Sequence, residues 1–235
     1  MSGLTRIKGD VRVAVRKVAN VMNIRRPMLF PTYPEAIADF IERYHDDVRY
    51  ASVALAVQRV LQEDIEGAFA ELGVYRGTTS AFLHRLAPAR RLYLFDTFAG
   101  FPAEALAAKK DDRFSDTSEE AVAECIGDLQ NISFRKRYFP ATSSGLETQR
   151  FAFVMLDFDL YQPALDAFAF FYPRLARGGY FFMHDFNSPE SDDAISRAAR
   201  EFLRDKPELL VEIPDRYGSA VFRKVVEPTE SHRPK

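Results

Sequence analysis

Four carboxylates close apolar runs in this chain: Glu71 ends AFAE, Asp96 ends LYLFD, Asp157 ends FVMLD, and Asp185 follows His184 in FFMHD. Acids at the ends of buried strands can accept hydrogen bonds from hydroxyls, take protons or ligate a cation. After the first of them, Gly73 and Gly77 complete the spacing E-x-G-x-x-x-G, with Tyr75 between them and Thr78 at the start of a helical pattern. A tight turn running into a helix N-terminus lets a ligand lie directly on backbone amides. Two glycines this close ask what must approach the backbone there.

The spacing is not the G-x-G-x-x-G of a dinucleotide site, and it offers no cradle for a pyrophosphate. Asp96 stands 23 residues after Gly73, at the end of the next strand, where a carboxylate can receive both hydroxyls of a ribose. Together these residues predict a loop for a nucleoside cofactor. The fourth and fifth strand ends, Asp157 and His184-Asp185, predict a second half of the site. The three can form a mixed nitrogen and oxygen metal site. Alternatively His184, whose ordinary pKa lies near neutrality, is itself a base in a site without metal. A hydrogen-bonded histidine without chemistry is the plain alternative.

Positioning such residues takes an α/β sheet, and the patterning supplies one. Strands are predicted at GAFAEL, RRLYLFD, NISFRKRYF, FAFVMLDFD and GYFFMHDF, separated or followed by helices at TTSAFLHRL, EEAVAECIGDL, YQPALDAFAFFYPRLA and SDDAISRAAREFLRD. Most of these strands are apolar throughout, which predicts burial on both faces and a mostly parallel sheet with helices on both sides. LLVEIPD and GSAVFRKVV predict a C-terminal hairpin turning at residues 216–218, bringing the strand count to seven. Two helical patterns, PEAIADFIERYHDD and YASVALAVQRVLQEDIEG, precede the sheet. Phe168, Phe170, Phe171 and Tyr172 crowd one helix and read as core.

Three parts follow: a basic amphipathic arm over residues 1–34, a domain over 35–226 and a loose polar tail over 227–235. Arm packing on its own domain or on a second subunit is preferred to a membrane-surface helix, which the charge pattern permits. His45 and His84 lie on predicted helices as surface or satisfied core groups, and His232 lies in the tail. The segment from Lys109 to Arg113 reads as a solvated mixed-charge loop.

The chain has 235 residues, 47% hydrophobic and 28% charged, enough for a full core. A net charge of -2 and a pI near 6.1 give no electrostatic case for nucleic acid or an anionic membrane as the main partner. Cys125 is the one cysteine, so no intrachain disulfide forms, and a reducing cytoplasm is expected. No apolar run reaches the ~20 residues of a membrane span, and no signal-peptide core is evident.

Several ordered segments carry a resemblance: GAFAELGVYRGTTSAFL, LYLFDTFAGFP, FSDTSEEAV, LDFDLYQPALDAFAFFYPRLARGGYFFMHDF and IPDRYGSAVFRK. They resemble the macrocin O-methyltransferase (TylF-like) family from about Asp47 to Lys224. The resemblance implies a Rossmann-like class I methyltransferase fold and S-adenosylmethionine as methyl donor. It also implies a sugar hydroxyl of a glycosylated natural product as acceptor and a divalent cation such as Mg2+; a homo-oligomer in the cytoplasm is expected. Residue by residue, it assigns Glu71, Gly73, Tyr75, Gly77 and Thr78 to the cofactor loop and Asp96, Thr97 and Phe98 to the ribose side. Asp157, Asp159 and Tyr161 match the segment where metal and acceptor meet. Phe158 replaces a glycine there, Gln162-Pro163 replaces Glu-Ser, and His184-Asp185-Phe186 replaces D-D-Y.

A nicotinamide-dependent oxidoreductase would use a similar sheet but different glycine spacing. A silent S-adenosylmethionine-binding or assembly subunit would keep the loop and lose the chemistry.

Overall fold

The computed structural model describes residues 46–101, 113–188 and 191–227, together with the helical Ile37, Phe40 and Ile41. The chain divides into two compact units, residues 1–45 and 46–235. The expected arm over 1–34, the tail beyond Glu227, His45, His232 and residues 109–112 lie outside the described residues.

The larger unit begins with α1 (Asp47–Gln62), whose buried face of Val53, Ala54, Val57 and Val60 repeats at helical spacing. Then come β1 (Ala68–Leu72), α2 (Thr78–Leu86), β2 (Leu92–Asp96), α3 (Glu119–Ile126), β3 (Ile132–Lys136) and β4 (Phe151–Leu156). The run closes with α4 (Tyr161–Phe171), β5 (Leu175–Met183), α5 (Ala194–Leu203), β6 (Val211–Ile213) and β7 (Ser219–Arg223). The sheet order is β3-β2-β1-β4-β5-β7-β6, parallel throughout except where β7 meets β5 and β6. The expected seven strands and C-terminal hairpin are therefore present.

Alternation along β1 sorts the layers. Ala68, Ala70 and Leu72 join a core with Phe168, Phe171, Ile195 and Ala198, so α4 and α5 cover that face. Phe69 and Glu71 point the other way, where Ser80 of α2 donates to Glu71 and α1 packs over β4 and β5. Phe181 stacks on Phe222 at 5.3 Å and Phe168 lies 5.0 Å from Phe181, so the aromatic crowd on α4 is core, as read. Behind it, Lys224 is 2% exposed beside Glu208 at 3%. The Lys224 ammonium is 3.0 Å from the Tyr172 ring centre, and the Tyr172 hydroxyl donates to Glu208 at 2.5 Å.

Several boundaries differ from the sequence reading: α1 spans Asp47–Gln62 rather than 50–67, β3 ends at Lys136 rather than Phe139, and α5 spans Ala194–Leu203 rather than 191–205. The helix expected to run through Ala176 ends at Phe171, residues 172–174 tighten into a 3-10 turn, and β5 begins at Leu175. Pro173 explains this, because it lacks the N–H that the helix would need. No helix among the described residues is long and apolar enough to cross a membrane.

Candidate active site

Beyond the strand termini the ladder continues for one more residue. Gly73 N–H donates to Phe95 O at 2.9 Å, Asp157 N–H to Leu72 O at 2.8 Å, and His184 N–H to Leu156 O at 2.8 Å. Glu71, Asp96, Asp157 and His184 thus stand on one carboxyl edge, on four adjacent strands. That edge spans the switch point between β1 and β4, where crossovers diverge and a crevice opens.

The glycines answer to the protein's own backbone. A Cβ on Gly73 (φ +85°) would lie 2.2 Å from the carbonyl oxygen of Asp157. One on Gly77 (φ +77°), the residue before α2, would lie 2.8 Å from Val122 Cγ1 of α3. The first glycine lets the β1–α2 loop lie against the end of β4. The second lets α3 close on the start of α2. Cys125, exposed in the last turn of α3, sits one turn beyond Val122.

Asp96 organises the same loop. Its Oδ2 accepts the N–H groups of Val74 at 2.6 Å and Tyr75 at 3.0 Å, and its Oδ1 accepts that of Phe98 at 2.8 Å. A ribose diol placed here shares acceptors that are already in use. Thr97 closes its own turn, donating to Gly100 O at 2.6 Å, while Phe98 is buried against Phe134. The Tyr75 ring packs edge-on against Phe114 at 5.1 Å, Thr117 donates to its carbonyl, and the neighbouring Arg76 pairs with Asp116. Thr78 opens α2 and is half-buried.

Glu71 is 1% exposed. Burial holds its carboxyl well above the usual carboxylate range; the Ser80 hydrogen bond opposes this, and Asp157 and Asp96 reinforce it.

At the second half of the site, His184 Nδ1 lies 3.0 Å from Asp157 Oδ1 and 3.3 Å from Asp185 Oδ2, and Nε2 lies 3.9 Å from Asp46 Oδ2. Burial alone would lower the His184 pKa, but the charge and hydrogen bonds of these carboxylates raise it well above the ordinary value. Burial disfavours the Asp157 carboxylate, yet His184 and Arg49 hold its pKa below the usual range. Asp159 goes the other way: burial, then Asp157 and Asp185, push it up to about 7, against Arg113 at 3.8 Å.

One nitrogen and two carboxylate oxygens from His184, Asp157 and Asp185 lie within 4.8 Å of one another. Asp185 Oδ1 is buried with no hydrogen-bond partner among the described residues. Both observations fit a divalent cation, and an imidazole in the set suits Mn2+, Fe2+ or Zn2+ better than Mg2+.

Two contributors were missed by sequence reasoning. Asp46, the residue just before α1, lies 3.9 Å from His184, and Arg49 of the first turn of α1 lies 3.2 Å from Asp46 and 3.9 Å from Asp157. The hairpin between β6 and β7 adds the Arg216 N–H to Asp46 at 3.4 Å and the Tyr217 ring 5.8 Å from that of His184. His84, expected as a surface or satisfied core group, is buried on α2, 3.7 Å from Asp128, with neither ring nitrogen hydrogen-bonded among the described residues.

Comparison with known proteins agrees with this fold. A curated 8-demethyl-8-(2,3-dimethoxy-alpha-L-rhamnosyl)-tetracenomycin-C 4'-O-methyltransferase of Streptomyces olivaceus is 30% identical over 165 residues, which span 63% of this chain and 63% of that relative. The O-methyltransferase NovP superposes with a TM-score of 0.63 at 21% identity, over 77% of this chain and 81% of that one. The apo structure of CalS11, a TDP-rhamnose 3'-O-methyltransferase of calicheamicin biosynthesis, gives 0.56 at 18% identity over 92% and 94%. Residues 45–209 match the profile of the macrocin O-methyltransferase (TylF) family, and the chain belongs to that family.

Proposed function

We propose that this protein transfers a methyl group from S-adenosylmethionine to a hydroxyl of a deoxyhexose, of the rhamnose type, carried on a small molecule. The observation that carries the reading is the shared edge: the loop from Glu71 to Thr78 and the acids Asp157 and Asp185 meet across Gly73, whose Cα approaches the Asp157 carbonyl. Family membership supports the reaction class. The sugar named for the tetracenomycin relative and for CalS11 supports the acceptor class.

The donor is a sulfonium and already activated, so the protein's work is alignment and removal of the hydroxyl proton. The β1–α2 loop holds the nucleoside, with Asp96 fixing the loop and Glu71 at its root. Asp157 and Asp185 line the crevice with carboxylates that favour a cationic donor over its neutral thioether product. Asp157, partly exposed and facing the Arg49 guanidinium, takes the proton. Asp157, His184 and Asp185 would hold a divalent cation; when bound, it would lower the pKa of the hydroxyl.

Calorimetry with S-adenosylhomocysteine tests the cofactor half, and methylation of TDP-rhamnose and of a rhamnosylated polyketide tests the acceptor half. Micromolar binding together with transfer to either sugar is expected. Absence of binding removes the reading, and binding with no sugar turnover removes the acceptor class.

A further inference from the structure

Asp157 meets a different partner at each carboxylate oxygen. Oδ1 is held by His184 Nδ1 at 3.0 Å, whereas Oδ2 faces Arg49 Nη1 at 3.9 Å. That separation is too long for a direct N–H···O hydrogen bond. Arg49 is held by other contacts: Nε lies 3.2 Å from Asp46 Oδ2 as an ion pair without a hydrogen bond, Nη2 donates to the Tyr50 hydroxyl at 3.3 Å, and the guanidinium lies 4.8 Å from the Tyr50 ring centre. Its side chain is 14% exposed, that of Asp157 25%. The Tyr50 hydroxyl in turn lies 3.3 Å from Thr79 Oγ1, in the first turn of α2 beside the cofactor loop.

A donor and an acceptor held apart at this distance suit a small bridging group. An oxygen at ordinary hydrogen-bond distance, about 2.8 Å from each, subtends about 90° between them. We propose that this bridging group is the acceptor hydroxyl, and that Arg49 orients it and stabilises the charge that grows on its oxygen. The inference rests on the methyl-transfer reading above. As the O–CH3 bond forms, the S–CH3 bond breaks and its electron pair stays on sulfur, turning the sulfonium into a neutral thioether. The hydroxyl proton passes to Asp157 Oδ2. The Arg49 guanidinium keeps its protons and donates one hydrogen bond throughout, more strongly as the oxygen becomes anionic.

The test compares wild type with Arg49→Gln and Arg49→Lys, measuring S-adenosylhomocysteine affinity and the kcat and KM for TDP-rhamnose or whichever rhamnoside the wild type methylates. Arg49→Gln is expected to lose about 100-fold or more in kcat, the cost of one transition-state donor, with cofactor affinity within threefold. Arg49→Lys, which keeps the charge beside Asp46, should recover part of that loss and carries the test if the glutamine variant fails to fold. A kcat near wild type in both variants overturns the inference. So does a parallel loss of S-adenosylhomocysteine binding, which would assign Arg49 to the cofactor. Failure of the wild type itself to bind the cofactor or methylate a sugar overturns the underlying reading instead.

Discussion

Replacing Gly73 by alanine probes the junction on which the site depends. At φ +85° an alanine carries a strain of about 1–2 kcal/mol. Its methyl would also sit 2.2 Å from the Asp157 carbonyl oxygen, so the loop or the end of β4 must shift by roughly 1 Å, an overpacking cost of about 1–3 kcal/mol. The sum, about 2–5 kcal/mol, corresponds to a fall in Tm of roughly 4–20 °C for a domain of this size. Because the atom displaced belongs to Asp157, activity should suffer beyond stability: a misplacement of about 1 Å costs on the order of 100-fold in rate. Gly127→Ala is the control, since Gly127 has φ +80° but nothing within 4 Å of its would-be Cβ. It should show the strain alone and full activity. Thermal melts, calorimetry with S-adenosylhomocysteine and steady-state kinetics on folded protein decide the matter. A Gly73→Ala protein with a Tm within 2 °C and a kcat within threefold of wild type, on the scale set above, would refute the reasoning.

Other expectations concern charge. Asp157→Asn should lower kcat by about 100-fold or more, the usual size of a general-base contribution, while S-adenosylhomocysteine binds as before in calorimetry. Asp159, pushed up to about 7, is protonated more readily folded than unfolded, so its contribution to stability is full below pH ~4 and lost as pH rises through about 7. Denaturant unfolding from pH 4 to 8 in the presence of EDTA should show a slope that Asp159→Asn removes. Glu208→Gln leaves Lys224 buried without its counter-charge, at a cost of about 3–5 kcal/mol read as a lower urea midpoint. Glu208→Leu combined with Lys224→Met should regain most of it. His184→Ala should abolish Mn2+ binding measured by calorimetry, while unchanged affinity would remove His184 from the cation site.

Sheet and strand ends were legible because apolar runs such as FVML and GYFFM announce strands buried on both faces, and the Asp157 and His184-Asp185 that follow them are hard to place elsewhere. The end of α4 was not, because its aromatic pattern continues past the residue where Pro173 breaks the hydrogen-bond ladder. The glycines were singled out for the approach of a ligand, and the neighbours the structure gives them are Asp157 and Val122, partners fixed only by tertiary packing. Arg49 and Asp46 carried no local signal. They stand at the start of a helix far from Asp157 in sequence, where an acid and a base three residues apart read as an ordinary surface pair. Tyr217 lies inside IPDRYGSAVFRK, yet only the turn of the hairpin carries it to His184.

The solitary thiol offers a practical dividend. Cys125 is the chain's one cysteine and is exposed, one turn from the valine that closes on Gly77, so a maleimide dye would label the unmodified protein at a single place beside the cofactor loop. Its thiol is pushed above the usual range, by partial burial and then by Glu71, so conjugation belongs at mildly alkaline pH. Fluorescence from that dye would follow nucleoside arrival in real time, with no acceptor sugar in the cuvette.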